Sequence, residues 1–176
     1  MAETRLNLEP EVQKIFEYID SGKNFLLSGG AGSGKTFSLV QVIRQAIAEN
    51  PTVKVACMTY TNAAVREIED RVNNKNLSVS TIHDFLWDNI KSYQKELKSS
   101  LIELLNSEDV KQIKSPDGVV AEDYFVEKDV QYKEYTLIRE GIISHDELLI
   151  LAHHMFKTYP KLCDILKDKF KFIFID

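Results

Sequence analysis

Apolar residues recur every three or four positions near the start of the chain. Val12, Ile15, Phe16 and Ile19 share one face, so the spacing predicts a helix opened by Pro10 and ended by Ser21-Gly22. Residues 24 to 28 (Asn-Phe-Leu-Leu-Ser) are a short apolar run, the pattern of a buried parallel strand. Leu39, Val42, Ile43 and Ala46 then return to helical spacing until Asn50-Pro51 breaks it. The pattern predicts a strand over 53–58, a helix over 61–72, a third short strand over 77–80 and a helix from 81 to about 93.

From 91 to about 143 the pattern turns polar. An amphipathic helix over 93–105 leads into a charged stretch with Pro116-Asp117-Gly118 as a turn, and residues 130–138 alternate weakly, as a strand would. Order resumes at Ser144, which forms a capping box with Glu147 ahead of Leu148, Leu149, Leu151, Ala152 and Met155. Pro160 opens another short helix, and residues 170–175 form a final strand before Asp176. Strand and helix alternate at both ends of the chain. The predicted fold is therefore α/β, a parallel sheet with helices on both faces.

Composition changes this picture little. The chain has 176 residues, 44% of them hydrophobic, enough to bury a sizeable core in one domain or one domain with an insertion. A net charge of −5 does not advertise a polyanion partner, but local patches decide such binding. Cys57 and Cys163 lack metal-ligand spacing, which fits a reduced, cytoplasmic setting. The opening residues do not read as a signal peptide, and no apolar run reaches the length of a membrane span. A strand that stops at Asp176 reads as the interior of something longer, so the chain is expected to be an amino-terminal piece.

One stretch carries explicit chemistry. Gly29, Gly30, Ala31, Gly32, Ser33, Gly34, Lys35 and Thr36 spell a phosphate-binding loop, G-x-x-x-x-G-K-[ST]. A loop that wraps phosphate oxygens must turn its own N–H groups inward, and glycine permits those backbone angles. The helix that follows adds its free N–H groups. Lys35 supplies charge for the β- and γ-phosphates, and the Thr36 hydroxyl is a ligand for Mg²⁺. Asp176, at the end of an apolar strand, is the candidate second metal contact.

The flanking residues narrow the class. Residues 56–67, ACMTYTNAAVRE, closely resemble the second helicase motif of the UvrD/Rep family of superfamily-one DNA helicases. Residues 80–85, STIHDF, resemble that family's next DNA-contacting segment, and Leu6-Asn7 followed by Gln13 resembles its adenine-reading element. Residues 143–149 with Tyr159-Pro160 and residues 170–176 resemble the approach to its Walker B strand. The likeness covers about residues 6–90 and 143–176; Glu9-Pro10-Glu11 reads as a small insertion before Gln13.

The resemblance implies a RecA-like phosphate-loop domain over 1–90 and 144–176, with an inserted, mostly helical lobe over 91–143. It implies ATP and Mg²⁺ as cofactors, Lys35, Thr36 and Asp176 as catalytic residues, Thr36 and Asp176 on the metal, and Gln13 with residues 29–36 on the nucleotide. Single-stranded DNA would meet Tyr60, Thr61, Asn62, Thr81 and His83, where a ring can stack and small polar groups can bond phosphate. The function implied is the first motor domain of an ATP-dependent 3′–5′ DNA helicase or translocase. Such a piece would be a monomer, inactive in turnover without its second motor domain. Two alternatives stand beside it: a nucleotide-dependent DNA-binding or adaptor domain with a vestigial ATPase, and a phosphate-loop kinase or GTPase. A GTPase would want a guanine-reading Asn-Lys-x-Asp, which is absent. Phe85, Trp87 and Cys57 read as packing residues, and His153-His154 as helix surface.

Overall fold

A computed structural model of the chain describes residues 5, 8–28, 30 and 32–176. Its residues fall into two compact units, Met1–Thr81 with Lys169–Asp176, and Ile82–Asp168. The second unit is wider than the 91–143 expected for a lobe, because the helices flanking that stretch belong to its core.

The first unit opens with α1 (Pro10–Asp20) and α2 (Lys35–Glu49). Proline at the first helical turn starts α1, where a missing N–H costs nothing. Strand β1 (Val55–Thr59), helix α3 (Asn62–Val72) and strand β2 (Leu77–Thr81) follow, and β5 (Phe172–Ile175) returns from the chain's far end. The three strands form a parallel sheet in the order β2-β1-β5. Cys57 sits opposite Val79 and Phe174, so these side chains share one face. On that face Val55, Cys57 and Phe174 pack with Val12 and Phe16 of α1, Ile43 and Ala46 of α2, and Ile68 of α3. All five residues of β1 are buried, as a central strand requires. Helices α1, α2 and α3 thus share one face of the sheet, whereas the strand–helix alternation predicted helices on both.

Residues 24–28 do not form the predicted strand. The alternation survives: Phe25 and Leu27 are half-buried, while Leu26 between them is 92% exposed. A strand, however, exists only as half of a ladder. Among the described residues no backbone hydrogen bond joins 24–28 to β5, and the contact is a tilted ring pair, Phe25 with Phe174 at 6.5 Å.

The second unit contains α4 (Ile82–Ile90), α5 (Gln94–Leu105), β3 (Gln131–Tyr132), β4 (Ile142–Ile143), α6 (His145–Thr158) and α7 (Lys161–Lys169), whose last residue belongs to the first unit. Its core gathers Ile90, Leu97, Leu101, Phe125, Leu148, Leu151 and Met155. The weak alternation over 130–138 yields only the two-residue β3, paired in parallel with β4. Residues 133–137 are exposed and Ile138 turns into a 3₁₀ segment, so the stretch keeps no continuous face to bury in a sheet. The loop between α5 and β3 is pinned by side chains. Asn106 both donates to and accepts from the Val120 backbone, at 2.9 and 2.8 Å. Arg139 grips Asp117 of the Pro-Asp-Gly turn, and with the Tyr124 hydroxyl it holds that carboxyl down at about 2. No helix among the described residues is long and apolar enough to cross a membrane.

Candidate functional site

The phosphate-loop residues Gly29 and Ala31 lie outside the described residues, as do Leu6 and Asn7 of the adenine-reading element. The described part of the loop has the expected backbone. Gly34 is the residue before α2 and adopts φ 82°, and Gly32 adopts φ 75°. An added Cβ at either would meet open space, so the backbone angle, not crowding, calls for glycine. That conformation presents the first N–H groups of α2 beside the loop, the arrangement that receives anionic oxygen. Ser33 N–H closes the turn onto the Gly30 carbonyl at 3.2 Å. Lys35 is the first residue of α2, and its Nζ donates to the same carbonyl at 2.8 Å.

Asp176 is held at the carboxyl end of the sheet by its own backbone. Its N–H donates to the Met58 carbonyl at 2.9 Å, continuing the β1–β5 ladder by one residue. Its charge is felt by the β1 core: the Cys57 thiol is pushed up to about 12, first by burial and then by the Asp176 carboxylate. Cys57 is accordingly an inert packing residue. Lys35 and Asp176 both line a cavity of about 740 Å³, bounded by Phe25, Leu27, Leu39 and β5. The described lining includes neither Thr36 nor Gln13. Gln13 is half-buried, and its amide donates to the Leu8 carbonyl at 2.7 Å.

The residues read as DNA contacts divide. Tyr60 follows β1 and is 76% exposed, with a free aromatic face. Thr61 caps α3 by accepting from Ala64 N–H at 3.2 Å, while the Thr59 hydroxyl donates to the Thr61 carbonyl at 3.0 Å. Asn62 is exposed at the first turn of α3. Thr81 ends β2 opposite Thr59 and is only 9% exposed, which leaves little of it for a ligand. His83 belongs to the second unit. There its ring lies 4.6 Å from that of His145, and burial, then the His145 charge, lowers its pKa below the ordinary imidazole value. Asp84 and Asp146 oppose that shift.

Sequence reasoning missed three of the participating groups. His145 and Tyr132 join His83 across about sixty positions of chain, with no spacing signal to connect them. Arg5 bridges Asp20 at the end of α1 and Glu49 at the end of α2, its guanidinium 4.3 Å above the Phe16 ring. Those hydrogen bonds raise the Arg5 pKa, and Glu49 is lowered chiefly by the same contact. Phe85 is buried and Trp87 packs on the core of its unit; His154 pairs with Glu103 of α5 at 2.9 Å, while its neighbour His153 is exposed.

A glycine-bent loop opening a helix, beside a parallel sheet with an acid at its strand end, is an arrangement suited to binding a nucleotide. Residues 8–136 match the UvrD/REP helicase N-terminal domain, and the chain belongs to that family. It is 28% identical over 177 residues to the Gabija protein GajB of Bacillus cereus (strain HuB5-5), covering 96% of this chain and 24% of that protein. A second GajB, from Bacillus cereus (strain VD045), is 46% identical over 57 residues, 32% of this chain and 12% of its own length. An ATP-dependent helicase/nuclease protein of Bacillus cereus (strain AH820) is 27% identical over 167 residues, 77% of this chain and 14% of that protein. The chain thus spans a quarter or less of these relatives. Membership in a helicase family favours neither the adaptor alternative nor the kinase or GTPase one.

Proposed function

We propose that this chain is the ATP-binding part of a motor that moves along single-stranded DNA in the 3′-to-5′ direction, as part of a longer helicase. The observation that carries the reading is the convergence of Lys35 and Asp176 on one cavity at the carboxyl end of the parallel sheet. Residues 29–36 hold the triphosphate through backbone N–H groups, with Lys35 supplying charge. Thr36 and Asp176 hold Mg²⁺, and Gln13 reads the adenine edge. When bound, Mg²⁺ neutralises charge on the phosphates. The sheet-bearing unit, residues 1–81 and 169–176, is the RecA-like part, and the inserted lobe of residues 91–143 lies within the second unit.

Tyr60 offers an exposed ring for a base, Thr61 and Asn62 offer hydrogen bonds to phosphate, and Thr81 and His83 are further phosphate contacts. The position that orients attacking water and the arginine finger come from other parts of the longer protein, each worth orders of magnitude in rate. The chain by itself therefore binds Mg²⁺·ATP without DNA-stimulated turnover. The decisive experiment measures nucleotide binding and ATPase with and without oligothymidylate. Lys35→Ala abolishes Mg²⁺·ATP binding, and Tyr60→Ala weakens oligonucleotide binding by about 1–3 kcal/mol. DNA-stimulated turnover by the isolated chain that Lys35→Ala removes would overturn this assignment of the catalytic groups. Unwinding of 3′-tailed against 5′-tailed duplexes by the longer protein reads the direction.

A further inference from the structure

Three separate elements of the second unit bring rings to one place at its surface. His83 comes from the first turn of α4, Tyr132 from β3, and His145 is the first residue of α6. The His83 and His145 centroids are 4.6 Å apart with planes at 49°, and Tyr132 and His145 are 5.4 Å apart at 57°. The Tyr132 hydroxyl lies 3.3 Å from the His145 ring nitrogens, and Trp87 backs Tyr132 at 6.0 Å. His145 is exposed, and His83 and Tyr132 are half-buried, so the cluster presents ring surface to solvent. Its position is fixed from below. Thr136 and Ser144 both bond the Glu147 carboxylate, which ties the chain after β3 to the start of α6 and leaves little freedom where His145 begins.

Three ligand chemistries suit exposed imidazoles. A metal is disfavoured, because among the described residues no group of three or more His, Cys, Asp or Glu side chains is placed to hold one. An anion such as phosphate is disfavoured by the carboxylates of Asp84 and Asp146 beside the two rings. A flat, uncharged π-system remains: it gains from ring contact, and its amino groups gain from nearby carboxylates. We propose that His145 and Tyr132, together with His83, form a stacking surface for an unpaired nucleobase of single-stranded nucleic acid. This rests on the DNA-binding reading above and changes it in one respect: His83 meets a base rather than a phosphate.

The test titrates the chain into a labelled oligothymidylate that carries one 2-aminopurine. Wild type quenches the 2-aminopurine, as stacking does. His145→Ala weakens binding by about 5- to 150-fold, the range for one stacked base, and reduces the quench. His145→Phe, which supplies a ring and no charge, restores both; His145→Lys, which supplies a charge and no ring, restores neither. Restored affinity with Lys and not with Phe would overturn the inference in favour of phosphate contact, with a steeper salt dependence as its mark. Unchanged binding by His145→Ala while Tyr60→Ala weakens it would also overturn the inference, and would leave the DNA-binding reading intact. No binding of the oligonucleotide by wild type would remove both.

Discussion

A charge is placed in this molecule according to what surrounds it, and His83 shows the consequence. Burial and the neighbouring His145 keep its imidazole neutral to lower pH than an ordinary histidine, against the pull of Asp84 and Asp146. In the unfolded chain the same ring titrates near 6.5, so below that pH the unfolded state binds more protons than the folded one. The stability this contributes is complete above about pH 6.5 and is lost as pH falls through the folded value. Thermal melts between about pH 7 and pH 5 should therefore show a falling midpoint, and His83→Gln should flatten that slope. An unaltered slope in the variant would show that other groups set it. Glu147 is shifted in the same direction, with the opposite consequence for charge. Burial would raise its pKa, but hydrogen bonds from Ser144 and Thr136 outweigh that and lower it, so the carboxylate stays charged and keeps the start of α6 capped.

Between elements, short turns carry the constraint. The turn from the 3₁₀ segment Ile138–Glu140 into β4 passes through Gly141 at φ 71°, where a Cβ would stand 2.9 Å from the Asp129 carbonyl oxygen. Both the backbone angle and the close approach demand glycine. Gly141→Ala should cost at least about 1–2 kcal/mol, and more if Asp129 cannot move aside. Urea unfolding followed through Trp87, the sole tryptophan, measures this in the unit that contains it. A change within a few tenths of a kcal/mol would mean that the 129–141 contact relaxes without cost. By contrast, Gly32 and Gly34 of the phosphate loop face open space at positive φ, and their replacement strains the backbone without a clash.

At the scale of the molecule the described residues form two hydrophobic clusters with no residue in common, one for each unit. Ile43 and Val12 are fully buried in one, Leu101 and Leu97 in the other. Truncating a buried aliphatic chain to alanine costs about 2–5 kcal/mol, from lost transfer energy and the cavity left behind. Leu101→Ala should lower the unfolding midpoint seen by Trp87 fluorescence. Ile43→Ala should lower the midpoint of far-ultraviolet ellipticity, to which α1–α3 contribute. A Trp87 transition indifferent to Leu101→Ala would show that the ring does not report on that core.

Periodicity alone determined most of the helices and the strands β1, β2 and β5, because each buries a contiguous apolar stripe or run that the order of residues already displays. The phosphate loop, the capping box at Ser144 and the Pro-Asp-Gly turn were legible too, since each is a local conformation with its own residue chemistry. The motifs led Asp176 to be expected beside Thr36; the structure sets Asp176 and Lys35 on one cavity, and the described lining does not include Thr36. Tertiary structure alone decided that residues 24–28 stay out of the sheet, because an apolar run becomes a strand only when a partner edge meets its hydrogen bonds. It alone decided that α1–α3 share one face, and that the second unit takes in α4, α6 and nearly all of α7. The meeting of His83, Tyr132 and His145 was hidden for the same reason: contacts between residues far apart in sequence leave no period in it.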